Sequence, residues 1–239
     1  MTVSDSGGDD GNAEHVSSVQ LINISGPYGA GKDTLIGAIL SEFGSRVHRV
    51  HTVTTRPSSR TADPSYMTLA PDEFTAATSG PHWIVNRQLS GTVAYATDLD
   101  EIRTASAAGK LCVHSIFAGD AGAGELRRRL TSRLISVSVL VNEGGVEQQL
   151  TTLGDRLLAR GRESSEEIQQ RLDHQYEVID YIRKNPKVLA RDGKVYDVFD
   201  HLLINRDLSA AIARIIALVT TAYEGITESA PHDSLPVSL

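Results

Sequence analysis

The sequence predicts an α/β fold built around a mainly parallel sheet, and three observations carry that expectation. Short apolar runs at 19–25, 111–117 and 134–141 read as strands, and helical patterns separate them. No internal repeat interrupts the alternation. The first apolar run, VQLINIS, feeds into Gly26-Pro27-Tyr28-Gly29-Ala30-Gly31-Lys32-Asp33-Thr34 and then a helical pattern over 32–43, with Leu35, Ile36, Ile39, Leu40 and Phe43 on one stripe. Strand, glycine-rich turn and helix is the context in which G-x-x-x-x-G-K binds phosphate.

The chemistry of that turn follows from its backbone. Glycines let successive N–H groups point at one anion, and the helix N-terminus adds partial positive charge there. Gly26, Tyr28, Gly29, Ala30 and Gly31 are therefore the expected cradle of a nucleoside triphosphate, with Lys32 reaching its outer phosphates. The motif usually continues with a hydroxyl residue that ligates Mg²⁺. Here Asp33 stands at that place and Thr34 follows. Asp33 is either a metal-side carboxylate or a first-turn acid that complements the helix dipole.

Composition narrows the function. The 239 residues suit one large domain, or one domain with a lid. A net charge of −7 argues against a nucleic-acid partner, because phosphate-backbone binding needs a basic face. No apolar stretch approaches a membrane span, and the expected location is cytoplasmic. The single cysteine, Cys112, lies in the apolar run LCV and reads as an inert core residue.

Along the chain, residues 1–17 are rich in Ser, Gly and Asp and read as a disordered tail. Residues 47–53 alternate as a second strand. Thr54-Thr55-Arg56-Pro57-Ser58-Ser59-Arg60 and Tyr66 follow, where two arginines can grip a second phosphate. A helix starts at Pro71, and strands are expected at 82–86 and 93–96. A helix capped at Thr97 or Asp98 runs to 108 and stops at Gly109. His114, on the 111–117 strand, is expected to be a satisfied core histidine. Residues 118–124 read as a small-residue turn.

Helices are expected at 146–160 and 166–182, with Arg156, Arg160, Arg162 and Arg171 around the turn between them. Beside a phosphate loop, such a hairpin can close over a transferring phosphoryl group. A polar connection of undefined structure spans 184–194, a last strand 200–205, a closing helix 208–223, and a mobile tail runs from about 225.

Four blocks in order, GPYGAGKDT, TTRPSSR with Tyr66 and DEF, SGTVAYAT, and RLLARGRESSEEIQQRL, resemble the guanylate-kinase-like branch of P-loop nucleoside-monophosphate kinases. The resemblance implies a three-layer P-loop kinase fold over residues 18–224, with an acceptor-binding subdomain at about 54–97 and an arginine-bearing lid at about 156–171. It implies ATP and Mg²⁺ as cofactors. Arg56, Arg60, Tyr66 and Tyr95 would hold an acceptor phosphate, with Arg60 one residue later than the family's second arginine. Arg156, Arg160, Arg162 and Arg171 would be the lid arginines, and Asn205 would lie near the adenine.

Two departures stand out. The family's guanine-reading glutamate aligns with Val85, and Ser115 and Phe117 replace an aspartate pair. The GKD ending, TRP with small residues, and the RGRE block are also similar to ribose 1,5-bisphosphate phosphokinase. The resemblance thus implies a phosphotransferase acting on a nucleoside monophosphate or a sugar phosphate such as ribose 1,5-bisphosphate, with the guanine readers lost. The alternatives are a noncatalytic binding module that keeps the nucleotide and, less well matched for want of an N-K-x-D motif, a nucleotide-hydrolysing switch.

Overall fold

A computed structural model of the chain describes residues 20–56, 63–88, 93–161 and 164–228. The expected N-terminal tail and most of the C-terminal one lie outside these residues. β1 (Leu21–Ser25) is buried along its whole length, and α1 (Lys32–Phe43) follows the glycine turn. The stretch at 47–53, expected as one strand, divides into β2 (Val47–Arg49) and β3 (Thr52–Thr54), which join different sheets. Hydrogen bonding explains the division. Val50 N donates to Val113 O on β7, the partner strand of β2, whereas Thr52 N turns away to Ser65 O.

β4 (Tyr66–Thr68), α2 (Pro71–Ala77), β5 (Trp83–Gln88) and β6 (Val93–Asp98) follow. The Asp98 carboxylate accepts from Asp100 N at 2.8 Å and so caps α3 (Leu99–Ala107). β7 (Leu111–His114) is shorter than expected. A π-helical turn at Asp120–Gly124 leads into α4 (Glu125–Leu130), a helix too short and too charged to announce itself by periodicity. β8 (Leu134–Leu140) and α5 (Val146–Arg160) match expectation.

The helix expected over 166–182 is two, α6 (Ser165–Asp173) and α7 (Gln175–Lys184), meeting at His174. The undefined 184–194 connection contributes to an antiparallel hairpin of β9 (Lys187–Leu189) and β10 (Val195–Asp197). β11 (His201–Ile204) precedes α8 (Leu208–Glu228), which runs five residues beyond its expected end at 223. The start of the expected C-terminal tail is therefore helical.

The main sheet has the order β11-β8-β1-β7-β2, and every neighbouring pair in it is parallel. A second sheet has the order β4-β3-β6-β5. The large core joins Ile22, Ile24 and Val139 of the main sheet to Ile36 and Ile39 of α1, Ile102 of α3, Leu126 of α4 and Ile215 of α8. The α/β class with a mainly parallel sheet is thus the observed one. A small separate cluster, Val53, Phe74, Ala94 and Ala96, holds the second sheet to α2. Cys112 is fully buried in the main core, as expected.

Parallel strands bring their carboxyl ends to one edge. The glycine turn after β1, Ser115 after β7 and Asn205 after β11 therefore meet there. At the opposite edge Arg127 of α4 is 1% exposed, donates to Thr131 O and Leu134 O at 2.9 Å each, and pairs with Asp200. Asp200 also accepts from Ser136 N at 2.7 Å, so this ion pair ties the starts of β8 and β11. Among the described residues no helix is long and apolar enough to cross a membrane.

Candidate nucleotide and phosphate site

The loop after β1 is shaped by close approaches that only glycine permits. A Cβ on Gly26 would lie 2.5 Å from Val139 O. Gly31 has φ 93°, and a Cβ there would sit 2.4 Å from Asn205 Nδ2. Asn205 is buried beneath the loop and donates from Nδ2 to Ala30 O at 2.8 Å. Its own carbonyl accepts from Arg156 at 2.5 Å. Its side chain therefore braces the phosphate loop through Ala30.

Lys32 donates to Pro27 O at 2.9 Å and lies 5.9 Å from the centroid of the Tyr28 ring. Burial lowers its ammonium to about 8, with the neighbouring Asp33 opposing that shift. Asp33 and Thr34, in the first turn of α1, are exposed at the mouth of the same cavity.

That cavity gathers residues distant in sequence. Lys32, Asp33 and Thr34 line it together with Arg56, Tyr66, Ser115, Arg156, Arg160 and Arg171. Arg156 and Arg160 stand one turn apart on α5, and Arg171 comes from α6. The Arg171 guanidinium lies 5.1 Å from the Tyr28 ring centroid. Gln175, at the start of α7, accepts from Tyr28 N at 3.0 Å and donates to Arg171 O at 3.1 Å. It thus fastens α6 and α7 to the glycine-rich loop. No sequence signal singles out Gln175, because the break at His174 that turns it inward is invisible in the helical pattern. Arg60 and Arg162 lie outside the described residues.

A second cavity adjoins the first and shares Tyr28, Lys32, Arg56, Tyr66 and Ser115 with it. Tyr95 lines it, and burial and a hydrogen bond with Tyr28 raise its phenol. The far wall carries Thr52, Asn86, Thr97 and His114. Here the register of β5 decides the chemistry. Val85 is 37% exposed and faces away, while Asn86, 3% exposed, faces the cavity opposite Tyr95. A one-residue shift on a strand exchanges faces. The β5 side chain presented to this cavity is therefore Asn86, not Val85.

His114 is satisfied, as expected, but it also lines this cavity. Thr97 Oγ1 and His114 Nε2 are 2.8 Å apart, and His114 also hydrogen-bonds the Val50 backbone in a way that favours its protonated form. The ring therefore donates to the Val50 carbonyl and accepts from the Thr97 hydroxyl, which leaves that oxygen's lone pairs for a ligand. Burial, reinforced by Arg49, holds the imidazole at about 4, below its ordinary 6.5.

A stability effect follows. Above pH 6.5 both folded and unfolded states carry a neutral ring; between 6.5 and about 4 only the unfolded state gains the proton. Acid unfolding of His114→Gln should accordingly show a shallower loss of stability across that window than the parent chain, measured by urea titration at pH 7, 5.5 and 4.5. Parallel curves would remove His114 as the cause.

The guanylate kinase family model matches residues 18–221. The chain belongs to the guanylate kinase family. Guanylate kinase 1 of Oryza sativa subsp. japonica is 29% identical over 201 residues, covering 83% of this chain and 47% of that protein. The guanylate kinase of Trichormus variabilis is 26% identical over 203 residues, covering 84% and 90%. The chain thus spans about half the length of the rice relative and most of the cyanobacterial one. The crystal structure of guanylate kinase from Anaplasma phagocytophilum superposes with a TM-score of 0.55 at 15% identity over 86% of each chain, a likeness of fold.

Guanylate kinases use ATP and Mg²⁺. The residues of this family member fit both. Mg²⁺ takes one or two protein oxygens beside phosphates and waters. Asp33 and Thr34 offer a carboxylate and a hydroxyl on the cavity that Lys32 lines.

Proposed function

We propose that this chain is an ATP- and Mg²⁺-dependent kinase that moves the γ-phosphoryl group onto the phosphate of a small acceptor, a nucleoside monophosphate or a sugar phosphate. The observation that carries this reading is the single cavity in which Lys32, three lid arginines, Arg56 and Tyr66 converge. Cations from four separate segments around one space match the charge distribution of phosphoryl transfer.

In this reading the loop amides and Lys32 hold the donor phosphates. Arg56, Tyr66 and Tyr95 hold the acceptor's phosphate, whose oxygen forms the new P–O bond as the bridge to ADP breaks. Asp33 and Thr34 would hold Mg²⁺, which when bound would supply charge neutralisation at the donor oxygens. Arg156, Arg160 and Arg171 offset the negative charge on the transferring group and exclude water. No side chain needs to form a covalent bond.

Specificity would reside on the wall of Asn86, Thr97 and His114. All three are neutral, and Val85, Ser115 and Phe117 stand where the resemblance aligns the family's carboxylates. A site built from neutral groups discriminates by hydrogen-bond matching, and a mismatch leaves a buried polar group unpaired. This favours an acceptor other than guanosine monophosphate and keeps ribose 1,5-bisphosphate among the acceptors to test.

The test is ADP release from ATP·Mg²⁺ with each nucleoside monophosphate, ribose 1,5-bisphosphate and simple sugar phosphates. Turnover with one of them supports the reading and names the acceptor. ATP binding with no turnover on any would replace it with a nucleotide-binding module. For the productive acceptor, Asn86→Ala is expected to raise KM by roughly tenfold, the loss of about one buried hydrogen bond, with the KM for ATP unchanged. Equal changes in both constants would refute the assignment of Asn86 to the acceptor.

A further inference from the structure

A second cluster of chemically potent side chains lies outside the two phosphate cavities. His48 on β2, His51 just before β3 and Glu101 in the first turn of α3 converge on one point. His48 Nε2 is 2.7 Å and His51 Nδ1 2.6 Å from the same oxygen, Glu101 Oε1. One ligand atom from each of the three residues lies within 4.8 Å of the others. The backbone N–H of His51 also reaches both carboxylate oxygens at 3.2 Å, which fixes the plane of the carboxylate.

We propose that His48, His51 and Glu101 form a binding site for a Zn²⁺-class divalent transition metal. Two imidazole nitrogens and one carboxylate oxygen are a donor set for Zn²⁺, Co²⁺ or Ni²⁺, whereas Mg²⁺ and Ca²⁺ prefer all-oxygen shells. In a tetrahedral Zn²⁺ shell, with bonds of about 2.0–2.1 Å, neighbouring ligand atoms stand roughly 3.3 Å apart. The two imidazoles would need to part from Glu101 by only about 0.6 Å to admit the ion. His51 is half exposed, which leaves water access for the remaining coordination position. The amide contact from His51 supplies the outer-shell support that ligating carboxylates usually have.

The position gives the site a structural meaning. β2 belongs to the main sheet, β3 to the second sheet, and α3 carries the chain from β6 back to β7. A bound ion would therefore pin together the joint between the two sheets, adjacent to Thr52 and Thr97 on the acceptor wall. It would do so without touching the phosphate cavity.

The full-length protein, stripped with chelator and titrated at pH 7.5 by calorimetry, tests this. One equivalent of Zn²⁺ should bind in the micromolar range or tighter, and a large excess of Mg²⁺ should leave it in place. Co²⁺ used as a probe should give the visible absorption of a four- or five-coordinate nitrogen–oxygen site. His51→Ala, an exposed substitution, should weaken binding at least tenfold, and His48→Ala with His51→Ala together should abolish it and the Co²⁺ spectrum. Absence of saturable Zn²⁺ binding would overturn the proposal. So would binding that survives in the double variant with its circular dichroism unchanged, and the cluster would then be a hydrogen-bonded joint alone.

Discussion

Lys32→Ala is expected to lower kcat by a hundredfold or more while the chain stays folded. The amine is the full charge closest to the loop that would hold the transferring phosphates, and removing one such preorganised donor costs about 10²–10³ in rate. It donates to Pro27 O at 2.9 Å, and losing that one hydrogen bond should cost about 1 kcal/mol of stability. Steady-state kinetics beside a thermal melt separate the two effects, and unchanged turnover would end the phosphoryl-transfer reading.

The same lysine predicts a pH dependence. Burial holds it at about 8 against an ordinary 10.5. A bound triphosphate favours the charged form, so nucleotide binding takes up a proton once the pH passes about 8. Affinity for ATP should therefore weaken as pH climbs from about 8 towards 10, and Lys32→Arg should flatten that decline. Calorimetry in buffers of different ionisation enthalpy would detect the proton directly.

The second large effect is on stability. Arg127→Ala should destabilise the fold by roughly 3 kcal/mol, since it removes a buried guanidinium and leaves two backbone carbonyls and Asp200 without their partner. In a domain of this size that corresponds to a fall in Tm of roughly 6–12 °C. Asp200 is partly exposed and keeps the Ser136 amide, which holds the loss at the lower end for a broken buried pair. The substitution lies at the sheet edge opposite the phosphate loop, so activity per folded molecule should not change. A shift below about 2 °C would mean that the pair contributes little.

The phosphate loop was legible in the sequence because its chemistry is local. Glycine spacing, a preceding apolar run and a following helix stripe are all written within about twenty-five residues. The convergence of Arg56, Tyr66, Arg156, Arg160 and Arg171 on Lys32 was inferred through family likeness, and the fold brings all of them to one cavity.

What sequence could not give was register and breaks. Nothing in WIVN says which of Val85 and Asn86 turns inward, because that depends on pairing with β6. Nothing in the alternating 47–53 run says that its halves belong to different sheets, since the switch rests on hydrogen bonds to Val113 and Ser65. Asn205 follows the last strand as expected, but its engagement with Ala30 depends on the absence of a Cβ at Gly31, which would lie 2.4 Å from its Nδ2.

Cys112 has a practical consequence. Its thiol is fully buried and pushed up to about 11, and it is the chain's single cysteine. At neutral pH only about one thiol in ten thousand is thiolate, so alkylating reagents meet an inert group while β7 stays in the sheet. The chain thus carries its own opening clock: the rate at which Cys112 becomes alkylated counts the excursions of the strand that bears His114. A fluorophore can also be attached through a thiol introduced on the lid, with no need to remove the native one first.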